Sequence, residues 1–179
     1  MWGLIFDRLG EIVYSLIKMT NQTTFHSSLG IKFTPPQIVN ELIQFMRADE
    51  KRKYKIIIGT DSKDNGNGEA DFVTAIVIHR IGNGGRYFWR RLEQDNLHTL
   101  RDRIWQEVIA SLDLARDFIA LMKNYQMPDF DFEVHIDVGT NGDTHELIQE
   151  LVGFVRANNL EPKIKPDSYA ATKVADRHV

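Results

Sequence analysis

Two acidic residues lie in chain segments that otherwise have the composition of buried strands. Asp61 follows the apolar run at residues 56–60, and Asp137 lies inside the apolar run at residues 132–138. Removing an ionised carboxylate from water is costly unless a charged partner or a bound cation compensates it. Hard divalent cations prefer oxygen ligands. A divalent-metal enzyme is therefore the first functional hypothesis, with a turn-forming Asp61 and a solvated Asp137 as the alternatives.

Helical periodicity indicates a third acid. A long helix is predicted from about residue 97 to about residue 125, and Glu107 falls within roughly 20° of Leu100 on its apolar stripe. A salt bridge to Arg103, one turn earlier, is the alternative role for Glu107. Three further acids of this helix project away from the stripe and are expected to be solvated: Asp102, Asp113 and Asp117.

The fourth acid is Asp176, late in a final helix that Ser168 is expected to cap. A frayed, charged terminus explains Asp176 equally well by itself. It becomes a candidate because three other acids need a partner. Mg²⁺ takes oxygen ligands and keeps several waters, and two such ions about 4 Å apart activate water and stabilise a leaving oxygen in phosphodiester cleavage.

The six histidines lack the close spacing of zinc ligands, so no zinc site is predicted. His135 shares the predicted strand face of Asp137, and His178 follows Asp176 by two positions. These two histidines are candidate proton shuttles. A hydrogen-bonded structural role is the alternative for each.

Basic and aromatic residues lie together on the third predicted strand, where Tyr87, Phe88 and Trp89 stand between Arg86 and the pair Arg90 and Arg91. This composition fits a nucleic-acid surface, and it equally fits an ordinary edge strand. Further basic residues lie near the end of the sequence, including Lys163. The candidate phosphate contacts are Arg86, Arg90, Lys165, Lys173 and Arg177.

The composition is that of an ordinary globular protein. With 179 residues, one domain is expected. A net charge of −3 neither favours nor excludes a nucleic-acid partner, so binding would need a local basic surface and metal ions. There is no Cys, which excludes disulfides, zinc–thiolate sites and cysteine nucleophiles and suits a cytoplasmic location.

The pattern of elements predicts an α/β fold. A helix starting at Thr34-Pro35-Pro36 precedes three strands joined by turns, and a helix, a strand, a helix, a short strand and a final helix follow. The strands are predicted at residues 54–61, 72–81, 86–92, 132–138 and 162–165, with a loop at 62–70. The first three should be antiparallel, and crossover helices should return the other two parallel to the first. The expected structure is a mixed five-stranded sheet with helices on both faces.

The first eighteen residues form a helix-like apolar stripe interrupted by charged residues. The segment is too short and too charged to span a bilayer, and it lacks the features of a signal peptide. We expect a helix that docks on its own domain or on a partner. A weak interfacial membrane helix and a true translation start at Met19 are the alternatives.

Three motifs together resemble the YkuK family of predicted ribonuclease H-related nucleases. They lie at residues 58–62 (IGTDS), 135–142 (HIDVGTNG) and 165–177 (KPDSYAATKVADR), and the match covers about residues 34–179. The resemblance implies a ribonuclease H-like three-layer fold. The expected organisation is an extension at 1–18, an N-terminal helical segment at 19–53 that packs on the core, and the ribonuclease H-like domain at 54–179.

The same resemblance implies hydrolysis of phosphodiester bonds in RNA, DNA or a hybrid, dependent on two Mg²⁺ or Mn²⁺ ions. Asp61, Glu107, Asp137 and Asp176 would be the four metal-binding and catalytic acids. Two other functions remain open: a non-catalytic module that binds nucleic acid or protein, and a nucleotide phosphotransferase. The second rests on residues 137–142, which resemble the phosphate loops of the sugar-kinase and actin-like superfamily, although those proteins need two lobes.

Overall fold

The computed structural model describes residues 23–139 and 147–179, and these form seven strands and four helices. In chain order they are β1 (Phe25–Ser27), β2 (Lys32–Phe33), α1 (Pro35–Arg47), β3 (Tyr54–Gly66), β4 (Glu69–Arg80), β5 (Gly85–Gln94), α2 (Leu100–Met122), β6 (Asp131–His135), α3 (Ile148–Ala157), β7 (Glu161–Lys163) and α4 (Tyr169–Asp176). The helix expected at residues 1–18 lies outside the described residues, as do residues 140–146.

All seven strands belong to one mixed sheet in the order β2-β1-β5-β4-β3-β6-β7. Strands β3, β4 and β5 are antiparallel neighbours, as predicted. Strand β6 runs parallel to β3, and β7 runs parallel to β6, which confirms the predicted crossovers. The α/β class and the mixed sheet are therefore as expected.

The prediction of five strands is wrong, because residues 25–33, for which no strand was predicted, contribute β1 and β2. Phe25 pairs with Phe33, and His26 pairs with Trp89 of β5. Strands of two and three residues are too short to show a two-residue periodicity. Their conformation is decided by pairing with the edge of β5.

The loop expected at residues 62–70 is also wrong, because most of it forms the far end of the β3–β4 hairpin. Strand β3 continues to Gly66, and β4 begins at Glu69. The turn is confined to the tip, where Gly66, Asn67 and Gly68 have φ of 83°, 57° and 80°. Asn, Gly and Asp therefore marked the tip correctly but not the strand ends. Asp61 consequently lies within β3, opposite Val73 of β4.

The sheet is covered on both faces, as expected for three layers. On the first face, Ile56 and Ile58 of β3 pack in the main core with α1, α2 and α3. On the second face, Ile57 packs with Val73 and with Ala175 of α4. Alternation along β3 therefore assigns each residue to one of two differently covered faces.

Residues 25–47 share this sheet and core with the later elements, while the domain boundaries expected after residues 18 and 53 stay predictions. Among the residues described by the structure, no helix has the length and apolar character needed to cross a membrane.

Replacing Phe25 by Ala should destabilise the protein by about 3–5 kcal/mol, because this side chain is 0% exposed and its removal leaves a cavity under β1. Urea unfolding at constant pH measures the change. The control is Leu29→Ala in the β1–β2 turn, where an 84% exposed side chain should change stability by no more than about 0.5 kcal/mol. Equal effects of the two substitutions would show that β1 does not belong to the cooperative fold.

Candidate active site

The site forms where β3 and β6 stop pairing. The last parallel pair joins Gly59 to His135; Asp61 and Asp137 each lie two residues beyond it, close enough for Asp137 to raise the pKa of Asp61. The backbone after β6 remains aligned with the β7 segment through a 2.9 Å hydrogen bond from the Lys165 N–H to the Val138 carbonyl. Two acids therefore lie just past the end of the parallel pairing, on the second face of the sheet.

Asp61 is half-buried and sits among other acids. Burial is the largest cause that raises its pKa to about 6, and Asp137 and Asp176 raise it further. The Ser62 N–H donates to the Asp61 carboxylate at 2.9 Å and opposes the shift. The effect of Asp176 on this pKa shows that the acid of α4 lies within electrostatic range of the strand acids.

Glu107 comes from α2, which covers the first face of the sheet; it is 7% exposed and lies within electrostatic range of Asp61 and Asp137. Its carboxylate accepts a hydrogen bond of 2.5 Å from the Ser62 hydroxyl. Burial raises the pKa of Glu107 to about 8, and repulsion by Asp61 and Asp137 adds to the shift. The alternative salt bridge to Arg103 does not form, because the Arg103 guanidinium pairs with a different acid, Asp64, at 3.8 Å.

A chain of buried hydroxyl groups holds the Glu107 turn of α2 against the sheet. The Ser111 hydroxyl donates to the Glu107 carbonyl at 2.9 Å and shares a hydrogen bond of 2.8 Å with the Thr60 hydroxyl. The Thr60 and Thr74 hydroxyls lie 3.0 Å apart. Neither Ser62 nor Ser111 was among the predicted site residues. Their signal was positional: Ser62 follows Asp61, and Ser111 lies one turn after Glu107.

A lysine neutralises part of the acidic group. The Lys165 ammonium lies 2.8 Å from Asp137 Oδ1, and the pKa of Lys165 is raised chiefly by this hydrogen bond. Among the predicted phosphate contacts, Lys165 is the one that pairs with an acid of the candidate site, Asp137. Lys173 and Arg177 lie in and just after α4 and are exposed.

The two candidate proton shuttles are held by other groups. His135 is 2% exposed, its Nε2 lies 3.2 Å from Glu133, and burial lowers its pKa. Glu133 also accepts a hydrogen bond of 2.6 Å from Lys55. His178 stacks on Trp89 of β5, with ring centroids 4.2 Å apart. The shuttle role of both histidines stays a prediction.

Two of the predicted phosphate contacts lie on the first face of the sheet, away from the face of Asp61. Arg86 pairs with Glu41 of α1 at 2.8 Å, and Arg90 lies over the ring of Phe25 at 5.4 Å. Alternation along β5 separates both of them from Arg91, which shares the second face with the strand acids. The structure therefore does not bring Arg86 and Arg90 to the acidic group.

The acidic group fits divalent cations in donor chemistry. No three His, Asp or Glu side chains of the described residues are grouped tightly enough to hold one ion as they stand. Glu107 is engaged by Ser62, and Asp137 by Lys165. The donors are nonetheless all carboxylate oxygens, which Mg²⁺ and Mn²⁺ prefer. Burial is the main cause of the raised pKa values of Asp61 and Glu107, so the ionised form of each lacks a full counter-charge, which a cation would supply.

Glu107→Gln should stabilise the protein increasingly as the pH rises from about 4.5 to about 8. The folded-state pKa of Glu107 is about 8 against an ordinary 4.5, so the unfolded chain releases this proton first and wild-type stability falls across that window. The expected gain at pH 8 is on the order of a few kcal/mol, and thermal unfolding at a series of pH values measures it. Glu93→Gln, at an exposed position, is the control. A pH-independent difference between Glu107→Gln and wild type would contradict the buried charge.

The chain matches proteins of known family along most of its length. A family profile described as Ribonuclease H-like matches residues 37–179. The uncharacterized protein YkuK of Bacillus subtilis (strain 168) is 32% identical over 173 residues, covering 89% of this chain and 98% of that protein. No solved structure matches the chain. The resemblance predicted from the three motifs is confirmed, and the chain belongs to the ribonuclease H-like family.

Proposed function

We propose that the protein is a metal-dependent nuclease that hydrolyses phosphodiester bonds of RNA or DNA, with two Mg²⁺ or Mn²⁺ ions held by Asp61, Glu107, Asp137 and Asp176. One observation carries the proposal. Burial raises the pKa of Asp61 on β3 and of Glu107 on α2, and three charge effects add to it: Asp137 acts on both, Asp61 acts on Glu107, and Asp176 acts on Asp61. Membership of the ribonuclease H-like family supports the same chemistry.

The residues of the chain divide the work. The ions, when bound, would activate water and stabilise the leaving oxygen. Ser62 orients Glu107 through its hydroxyl group, as hydrogen bonds from outer groups orient metal ligands in general. Lys165 lies beside Asp137 and supplies a positive charge for a substrate phosphate. The exposed Lys173 and Arg177 extend this positive charge along α4.

Asp61→Asn and Asp137→Asn should each lower metal-dependent cleavage by roughly 10²- to 10³-fold, the scale of losing one electrostatic stabiliser of a transition state. Both variants should keep the wild-type circular dichroism spectrum. Cleavage of labelled RNA, DNA, hybrid and junction substrates in Mn²⁺ measures the loss. Asp113→Asn removes an exposed acid of α2 and serves as the matched control. Wild-type protein that binds no Mn²⁺ and cuts none of these substrates would refute the proposal.

A non-catalytic binding module is the second candidate, and one observation favours it. The Lys165 ammonium at 2.8 Å from Asp137 compensates an acid without a metal ion. A fold that keeps its acids neutralised internally can bind nucleic acid without cleaving it. Gel-shift binding without turnover, unchanged by Asp61→Asn, would favour this module. The phosphate-loop resemblance at residues 137–142 falls partly on residues 140–142, outside the described residues.

Lys165→Met should tighten Mn²⁺ binding by up to about fivefold, because removal of a competing cation from a partly exposed pair is worth up to about 1 kcal/mol. The same change should raise KM for the nucleic acid, since a phosphate contact is lost. Calorimetry and steady-state kinetics measure the two effects. Lys163→Met, which removes a lysine of β7 paired with Glu161, is the control. Weaker Mn²⁺ binding by the Lys165 variant would show that Lys165 does not compete with the ion.

A further inference from the structure

The helix that carries Asp176, α4, is too short to be stable by itself. Helix α4 contains eight residues, and helices of this length are unstable without tertiary contacts. Ala175 is 0% exposed and packs on the second face of the sheet. Asp176 follows it at the last position of the helix and is exposed. The position of this carboxylate therefore depends on what fixes the C-terminal end of α4.

His178 makes contacts that fix this end to β5. Its ring stacks on Trp89 with centroids 4.2 Å apart and planes 9° from parallel, and its Nε2 lies 3.4 Å from the Tyr87 hydroxyl. The Arg91 guanidinium donates a hydrogen bond to the His178 carbonyl. The His178 N–H donates to the Ala175 carbonyl at 2.8 Å. Ring, amide and carbonyl are thus all engaged, two of the three by β5.

The surface that contacts His178, here called the receiving surface, consists of Tyr87, Trp89 and Arg91 of β5. Neighbouring strands contact it in turn. His26 of β1 also stacks against Trp89, with ring centroids 5.0 Å apart. Arg91 pairs with Asp71 of β4 at 3.4 Å. The groups that hold His178 are therefore fixed to β1 and β4 as well as to β5. A rigid receiving surface is what a short helix needs if its last residue is to keep one position.

We propose that His178 is a positioning residue, whose stacking on Trp89 holds α4 so that Asp176 stays within range of Asp61. The inference rests on the proposed function, because it assigns Asp176 to the metal-binding group. The electrostatic effect of Asp176 on Asp61 is the link between the anchor and the site. Without the anchor, the last turn of α4 would lose its order and Asp176 would leave the group.

An anchor and a proton shuttle make different demands on position 178. Stacking needs a flat ring, which Phe supplies, and aromatic pairs contribute about 0.5–1.5 kcal/mol beyond their buried area. Proton transfer needs an imidazole nitrogen, which Phe lacks. His178→Ala removes both properties, and His178→Phe removes only the second. The pair of variants therefore separates the two roles.

The test uses the full chain carrying His178→Ala or His178→Phe, with His79→Ala on β4 as a half-buried histidine control. Hydrogen–deuterium exchange of the α4 peptide is followed in metal-free protein, and Mn²⁺ affinity is measured by calorimetry. His178→Ala should lose the protection of α4 and bind Mn²⁺ roughly tenfold more weakly, the lower end of the range for an outer group that orients metal ligands. His178→Phe and His79→Ala should match wild type in both measurements.

Wild-type exchange of α4 in His178→Ala would overturn the anchor, and so would a His178→Phe variant as defective as His178→Ala. The exchange measurement needs no metal, so it separates the two proposals. Lost protection of α4 in His178→Ala, in a protein whose wild type binds no Mn²⁺, would keep the anchor and overturn the metal-dependent nuclease. Mn²⁺ binding by the wild type, together with wild-type exchange of α4 in His178→Ala, would overturn the anchor and keep the metal-dependent nuclease.

Discussion

The site depends on one constraint, the repulsion among carboxylates in a partly dehydrated place. That place is where β3 and β6 stop pairing. Asp61 and Asp137 come together because β3 and β6 are parallel neighbours. Glu107 is added from α2, where burial and these neighbours raise its pKa to about 8. Such a group tolerates neutral pH by keeping protons, by pairing with a lysine, or by binding cations. Lys165 shows the second solution at Asp137.

Two glutamates show how partners influence whether an acid is structural. Glu107 and Glu133 are each 7% exposed, and burial is the largest single effect on the pKa of both. Glu133 has a lower pKa than usual, because hydrogen bonds from Lys55 and His135 outweigh its burial. Glu107 faces a neutral hydroxyl and two further acids, and its pKa rises. Glu133 already has its counter-charge, whereas an ionised Glu107 leaves a charge for a cation to balance.

The periodicity of single segments gave the parts of the fold that depend on local structure. The antiparallel hairpins, the parallel return of β6 and the helix start at Pro35 were all predicted. The burial of Glu107 followed from its angle on α2, because a helical stripe is set by residue spacing alone. The motifs around Asp61 and Asp137 predicted the family, because each motif is contiguous in the chain.

Contacts between segments distant in sequence had to come from the tertiary structure. Strands β1 and β2 exist because β5 offers an edge to pair with. The donation from Ser62 to Glu107 joins β3 to α2, and the pairing of Lys165 with Asp137 joins the segments after β7 and β6. The partners in each contact are far apart in the sequence, so no local spacing of residues predicts either contact. The sequence by itself thus determined the acidic residues, the helices and the centres of the longer strands, while packing decided the short strands and which side chains meet, because side-chain proximity across a sheet depends on strand order and register.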